Sequence, residues 1–493
     1  MIRRKLKAIR KKVAGFQGSM LGYLPVKVAE GVIGILTVKV YTTLFPPEVY
    51  GEYTMVNTTV NILFLTLLGW LMQAAIRYIK GHTGREEDKR RFFSTVYLTM
   101  AGAYGLLFLL VLGAKLLLPG FLEGYGPGGM LVLALMMAGY GSTQLLLAIL
   151  LYMEHRVKNI AILLFNVTGK LALTVLAYNR LGPSVWSILL SHAAVDMVSF
   201  LGAFLLSGTW RQIRWSGYDK ETVRDFMRYG YPLIGFSFVM ALLNMSDRYI
   251  IRFFQDRATV GIYTSNYAIP SSVFMMLMMG LSRGVYPKLL KAHYDQDRDR
   301  TARHLKTGAA LYLSVSMPAA MGIAVLHRHL SSLFLGKEYM GGSPVMAYVA
   351  GGMLFYGLAE YCNKGWELTA NTLPILKKSF LAAMANILVN LLLVPRWGYM
   401  VAAASTLGGY LLFFLASYRG RNPAIPFDLR IRELWPLFLA TGTMGAALLV
   451  VNRGMEITLA SLLINVMAGI IIYFGVLAGT GFLGRLLHRM REV

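Results

Sequence analysis

The sequence predicts an all-α polytopic membrane protein of about 14 transmembrane helices, arranged as two six-helix lobes in pseudo-repeat, a trailing helix pair and a central cavity. Three observations predict it. Apolar stretches recur along all 493 residues, 56% of which are hydrophobic, with a mean hydropathy of +0.54. The connections between these stretches are alternately rich and poor in Lys and Arg. Short segments of the first half recur in the second, Gly51-Glu52-Tyr53-Thr54 as Gly261-Ile262-Tyr263-Thr264 and Gly22-Tyr23-Leu24-Pro25 opposite Tyr229-Gly230-Tyr231-Pro232.

A bilayer leaves no water for unpaired backbone groups, so a spanning chain is helical or a closed barrel. These runs are too long and too continuously apolar for alternating barrel strands. After a basic segment, 1–19, the first span (20–44) carries Lys27 and Glu30 three positions apart, hence on one helix face, which Gly34 and Tyr41 continue. The second (50–78) carries Arg77 near its inner end. The third (92–118) holds Lys115 near its outer end, and the fourth (128–152) follows. The fifth (157–178) has a polar stripe of Asn159, Asn166, Lys170 and Thr174, and the sixth (184–208) one of His192, Asp196 and Ser199. These six form an N-lobe, 20–208. A polar linker, 209–228, leads to the seventh span (229–253), whose apolar run is interrupted by Asn244, Asp247, Arg248 and Arg252. The eighth (258–284) ends at Arg283, the ninth (304–326) follows, and the tenth (342–363) carries Glu360. The eleventh (373–394) has Asn386 and Asn390 a turn apart, and the twelfth (398–418) closes a C-lobe, 229–418. Spans at 432–452 and 457–480 form the trailing pair within 419–484, and 485–493 is a tail.

The net charge of +25 is mostly topological. One alternating set of connections and ends holds 35 Lys and Arg, the other only six: Arg180, Arg257, Arg328, Lys337, Arg396 and Arg453. That asymmetry puts both termini of a multi-pass membrane protein in the cytoplasm, with an added attraction to anionic lipids. No aromatic-basic motif supports nucleic-acid binding. The single cysteine, Cys362, excludes an internal disulfide and argues against a metal-thiolate site. The start, MIRRKLKAIRKK, leads into charged Lys27 and Glu30, so no cleavable signal peptide is expected.

The stretches LFPPEVYGEYTMVNTTVNILFLTLLGWLMQAAIRY (44–78) and DRYIIRFFQDRATVGIYTSNYAIPSSVFMMLMMGLSRGVYPKLLK (247–291) resemble the polysaccharide-transporter branch of the MOP (multidrug/oligosaccharidyl-lipid/polysaccharide) superfamily, including its Gly-x-Tyr after a short outer loop and the late Pro287. The resemblance implies a MATE-like fold and a Wzx-type flippase. Such a protein carries undecaprenyl-pyrophosphate-linked oligosaccharide from the inner to the outer leaflet for O-antigen, capsule or exopolysaccharide. It would act as a monomer, with a polymerase and glycosyltransferases as candidate neighbours.

Eight basic residues fall inside spans, against four acids well inside them, which are Glu30, Asp196, Asp247 and Glu360. A charge at the bilayer centre costs roughly 2.5–3.5 kcal/mol on insertion scales. Lys39, Lys115, Arg77, Arg252 and Arg283 lie near span ends, where snorkelling is the bland reading. Lys27, Arg77, Lys170, Arg248 and Arg283 are nonetheless the candidates to bind a pyrophosphate. Glu30, Asp196, Asp247, Glu360, Asn166 and Asn244 are the cavity's polar or ion-coupling candidates. The competing reading for each is a structural interhelical contact, such as an ion pair of Lys170 with Asp196. No cofactor or metal is expected; coupling to H+ or Na+ and to the membrane potential stays open. The basic interior favours a lipid-linked sugar over a multidrug exporter, which would bind cations in an acidic interior. A lipid II flippase needs the same cationic interior and remains the alternative. A membrane glycosyltransferase or polymerase fits poorly, because the longest outer connection, 327–342, holds no carboxylate pair.

Overall fold

Helices follow the apolar runs but extend well beyond them. The computed structural model describes residues 24–82, 85–117, 127–369, 371–425, 428–429, 431–453 and 455–486. The side chains of three sequence candidates, Lys27, Lys115 and Arg283, lie outside those described. In chain order the helices are α1 (Leu24–Leu44), α2 (Pro47–Leu67), α3 (Gly69–Tyr78), α4 (Glu86–Leu117), α5 (Pro127–Tyr152), α6 (Arg156–Leu181), α7 (Val185–Ser207), α8 (Lys220–Phe254), α9 (Arg257–Tyr294), α10 (Arg298–Phe334), α11 (Val345–Leu368), α12 (Leu373–Trp397), α13 (Met400–Arg419), α14 (Ile431–Val451) and α15 (Leu459–Gly479). Among the described residues ten helices are long and apolar enough to cross a membrane, and twelve if each of two bent pairs is one span. The expected fourteen therefore stand at ten to twelve by length and composition, with α1 and α8 outside that set.

Parts of the polar connections expected at 209–228, 284–306 and 327–342 are helical. Residues 220–228 open α8, and only 295–297 separate α9 from α10. Residues 327–334 end α10, and a short 3-10 helix covers Lys337–Gly342. Hydropathy locates where a helix leaves the hydrocarbon, not where it stops; caps decide that. The Asp256 and Asp297 side chains accept from the amides of Thr259 (2.7 Å) and Arg300 (2.8 Å), starting α9 and α10 at charged residues that no hydropathy window would include.

Two compact units emerge from the packing. One contains residues up to Glu48 together with Ser246–Val493; the other is Val49–Met245. These units group by contact, whereas the lobes 20–208 and 229–418 group by repeat, and the two divisions differ. In the first unit α1 packs against α9 and α10 rather than standing with its sequence neighbours. The Lys39 ammonium donates to the Leu335 carbonyl (3.1 Å), and Tyr339 Oη donates to the Phe45 carbonyl (2.8 Å). The trailing pair, α14 and α15, packs on α10, with Tyr473 Oη donating to the Ser314 carbonyl (2.9 Å).

In the second unit α5 and α7 form the closest pairing, with α6 beside them. The α2–α3 span bends by 50° at Leu68. Trp70 Nε1 donates to the Leu67 carbonyl at that bend (2.9 Å), supplying a donor to a carbonyl at the broken turn. In the other unit α9 bends by 42° and carries Pro270 and Pro287. The segment between α7 and α8 lies as a strap on α4. Ser94 Oγ donates to the Gln212 carbonyl (3.1 Å) and accepts from the Arg214 amide (2.9 Å), while the Asp219 amide donates to Thr95 Oγ1 (3.1 Å). Asp219 also pairs with Arg91 (3.0 Å) and accepts from the Thr222 amide (2.8 Å).

Two stability predictions follow from these contacts. A Cβ on Gly336 would come within 1.9 Å of the Thr42 carbonyl oxygen, a backbone atom with no freedom to rotate away. Gly336→Ala is expected to cost about 1–3 kcal/mol by overpacking, whereas Gly408→Ala, facing open space in α13, is expected to be neutral or to stabilise by up to about 1 kcal/mol. Thermal unfolding in detergent distinguishes them. The Arg91 guanidinium, with the Thr222 contacts, holds the Asp219 carboxyl well below the usual carboxylate range. A depressed carboxyl stabilises above its unfolded value of about 4 and loses that contribution as the pH falls through its lower folded value. Asp219→Asn is therefore expected to lower Tm at pH 7 by about 1–2 °C, and the gap to the parent should narrow steadily below about pH 4.

Candidate functional site

A polar cluster sits among α5, α6 and α7 of the 49–245 unit. Gly139 of α5 makes it possible: a Cβ there would meet Asp196 Cβ at 2.9 Å, so only glycine lets α5 and α7 approach this closely. Thr143, one turn on, donates to the Asp196 carbonyl (3.0 Å). Asn166 and Lys170 are a turn apart on α6 and reach the same acid, Lys170 Nζ lying 2.7 Å and Asn166 Nδ2 2.8 Å from Asp196 Oδ1. Asn166 Nδ2 also donates to Ser199 Oγ (2.9 Å). The Lys170 ammonium lies 5.6 Å from the centre of the Tyr140 ring, whose hydroxyl donates to Asn61 Oδ1 (2.7 Å) on α2. His192, a turn before Asp196, meets the Tyr53 ring edge-on, with centroids 5.1 Å apart.

Asp196 is 1% exposed, yet only one side of its carboxylate is engaged. Oδ2 is buried and has no hydrogen-bond partner among the described residues. The Lys170 side chain is 15% exposed. The open oxygen is an acceptor that the described residues leave unfilled.

Other sequence candidates are held differently. In the unit containing 246–493, Asp247 is buried and accepts from the Arg248 amide (2.8 Å) and from the Tyr263 hydroxyl. The Arg248 guanidinium lies 5.6 Å from the centre of the Tyr267 ring. Asn244 donates to the Met240 carbonyl one turn back (2.7 Å). Arg77, exposed, lies 4.3 Å from the centre of the Tyr229 ring within the 49–245 unit. Asn386 and Asn390 join α12 to α13 through Ser405 (3.1 and 2.5 Å). Asn159 donates to the Leu147 carbonyl (2.6 Å). For these asparagines the interhelical or intrahelical structural reading is the one the geometry gives. Glu30 is half-buried on α1.

One group went unread in the sequence. Lys364 lies 3.6 Å from Glu360 and 2.7 Å from Glu367 along α11, and 5.6 Å from the centre of the Tyr286 ring. Glu360 is thus part of a shared acid–lysine–acid ladder rather than an isolated interior acid. Its signal was present, because Glu360, Lys364 and Glu367 are spaced four and three apart. Ending the tenth span at 363 placed the lysine in a connection and hid it. Among the described residues no cluster of three or more His, Cys, Asp or Glu is arranged to hold a metal ion.

Residues 42–344 match the family model described as polysaccharide biosynthesis protein. The chain belongs to that family. Among curated proteins it is 23% identical over 264 residues to the probable lipid II flippase MurJ of Vibrio cholerae, a match covering 52% of this chain and 49% of that one. It is 23% identical over 207 residues to the probable flippase AglR of Haloferax volcanii, covering 41% and 43%. The chain spans about half the length of the curated relatives it matches. Among solved structures it is similar to lipid II flippase MurJ in an inward closed conformation, with TM-score 0.76, 14% identity and coverage of 95% of this chain and 99% of that one. It is also similar to an inward-facing MATE family multidrug resistance transporter of the MOP superfamily, with TM-score 0.64, 11% identity and coverage of 80% and 96%. The fold is therefore the MurJ- and MATE-like fold of that superfamily, and this family member is a multi-pass membrane protein.

The Lys170–Asp196 pair predicts a non-additive mutant cycle. Removing one member of a buried pair leaves the other uncompensated, at about 3–5 kcal/mol. Lys170→Met or Asp196→Asn is expected to lower thermal stability clearly, and the double variant to recover a large part of the loss. Equal, additive losses would show the two side chains to be independent.

Proposed function

We propose that this chain is a secondary-type transporter, a flippase that moves an undecaprenyl-pyrophosphate-linked oligosaccharide from the inner to the outer leaflet of the bacterial cytoplasmic membrane by alternating access. The observation that carries the reading is a pair of basic side chains held by acids and rings: Lys170, inside the apolar α6, on Asp196 and Tyr140, and Arg248, near the end of α8, by Tyr267. A lysine or arginine offers a pyrophosphate a point charge or a planar fork of donors. Asp196 keeps Lys170 from being an uncompensated charge when no cargo is bound. On arrival of the pyrophosphate, Lys170 exchanges Asp196 for phosphate oxygens, and the released carboxylate takes a proton or Na+. Lys27, Arg77 and Arg283 belong to the same cationic set, and Glu30, Asp247 and Glu360 are the further coupling candidates. An inside-negative potential assists outward movement of negative charge by roughly 2.3 kcal/mol per charge per 100 mV. Membership of the polysaccharide biosynthesis family supports a glycan cargo. The positive-inside distribution supports both termini in the cytoplasm.

A second reading, lipid II as cargo, is favoured by one observation, the similarity to MurJ in both sequence and structure. Both cargoes present a polyprenyl pyrophosphate, so the cationic set serves either.

The test is binding in nanodiscs of undecaprenyl pyrophosphate, with neutral undecaprenol as control, to the parent, Lys170→Ala and Arg248→Ala. Pyrophosphate-dependent binding that falls about ten-fold or more in each variant is expected. Equal binding of the neutral lipid, or full binding by both variants, overturns the reading. Competition with lipid II against an undecaprenyl-pyrophosphate oligosaccharide then separates the two cargoes.

A further inference from the structure

The strap between α7 and α8 is fastened along its backbone, yet its largest side chains face outward. At its start Thr209 Oγ1 shares a hydrogen bond with Tyr97 Oη of α4 (2.6 Å). Farther on, Ser94 and Thr95 of α4 engage the Gln212 carbonyl and the Arg214 and Asp219 amides. Two short 3-10 turns, Thr209–Gln212 and Trp215–Gly217, are held by these fastenings. Trp215 is nevertheless 85% exposed, Trp210 41% and Tyr218 40%. An indole combines a large apolar body with an N–H that prefers to stay wet, which is why Trp collects at membrane–water interfaces.

Two landmarks put the strap at that level. Trp210 stands just past Ser207, the last residue of the spanning helix α7. Ser94 and Thr95 follow directly on Phe92 and Phe93, where the apolar run of α4 begins after the charged residues 86–91. Leu201 and Leu205 of α7 are exposed, so the outer apolar surface of that helix runs on into the strap. The strap is also basic. Arg211 and Arg214 are exposed, and among the described residues neither pairs with an acid. Arg211 lies 5.1 Å from the centre of the Trp210 ring. Asp219, the strap's own acid, is engaged by Arg91 (3.0 Å), and Glu86 of α4 by Lys89 (2.7 Å) and Gln212 (3.1 Å). Lys158, whose ammonium donates to the Leu206 carbonyl (2.7 Å), adds a third cation at the end of α7.

We infer that the strap is a membrane-surface anchor for anionic phospholipid, with Trp215 and Trp210 lying among the headgroups and Arg211 and Arg214 binding lipid phosphates. Arginine suits that task because its planar fork meets two phosphate oxygens at once. A phosphate dissolved in water offers the indoles nothing apolar, so the partner is a lipid surface and not a free anion. Phosphatidylcholine carries a phosphate too, but its choline cancels the charge. Phosphatidylglycerol keeps a net negative charge, and basic residues near such a surface are drawn to it. The pinned backbone holds the two arginines in place before lipid arrives.

The test uses the full chain with Cys362→Ala and a nitroxide attached at Ser216→Cys, an exposed position beside Trp215. It is placed in nanodiscs of phosphatidylcholine with or without about 30% phosphatidylglycerol. Collision rates with oxygen, which concentrates in lipid, and with a neutral water-soluble nickel chelate report the depth of the label. The same label at Asp299→Cys, exposed in the charged first turn of α10, is the control. The Ser216 label is expected to favour oxygen over nickel about five-fold more than the control does. Trp215→Ser is expected to remove about half of that preference or more, with thermal stability unchanged because the indole is so little covered. Phosphatidylglycerol is expected to lower the nickel rate about two-fold in the parent and to leave it unchanged in the Arg211→Gln/Arg214→Gln double variant. Inorganic phosphate added to phosphatidylcholine discs is expected to have no effect. A Ser216 label as open to nickel as the control, an unchanged preference in Trp215→Ser, a phosphatidylglycerol effect that survives in the double variant, or the same effect from inorganic phosphate overturns the inference.

Discussion

Hydrocarbon offers a polar group nothing to bind, and the structure is arranged around that fact. Bends and charges within the apolar layer are served by partners within the protein. At the α2–α3 bend the indole of Trp70 serves the carbonyl of Leu67. Inside the α5–α7 cluster, Asp196 gathers an ammonium and an amide, and Gly139 allows the close approach of α5 to α7. The same requirement explains why the first helix, α1, is fastened to the Leu335–Tyr339 region by a lysine and a tyrosine hydroxyl.

Interior satisfaction also separates structural polarity from polarity with a use. Asn386, Asn390 and Ser405 complete one another and join two helices. Asp196 is different, with one oxygen doubly engaged and the other unfilled. A buried group kept half-satisfied lowers stability, and it is this open side that the proposed exchange of partners at Lys170 would use.

Much of the helical plan was legible from hydropathy and charge alternation, because a bilayer imposes both directly. Lys170 and Asp196 were legible as partners, since each interrupts an apolar run near mid-membrane. Helix ends were not. Asp297 caps α10 among residues so polar that they read as a loop, and the Glu360–Lys364–Glu367 ladder fell across a boundary drawn by hydropathy. The grouping of α1 with residues beyond 246 was equally hidden, because it rests on contacts nearly 300 positions apart, such as Lys39 to Leu335.

The three-residue turn between α6 and α7, Gly182 to Ser184, bears on how the protein is made. Lys170 is synthesised before Asp196. Alone in lipid, α6 would expose a mid-helix ammonium at roughly 2.5–3.5 kcal/mol. With its counter-charge 26 positions behind on a helix that folds straight back, the two segments enter the membrane most readily together, as an electrically neutral hairpin. A substitution of Asp196 would then reduce the yield of inserted protein during synthesis.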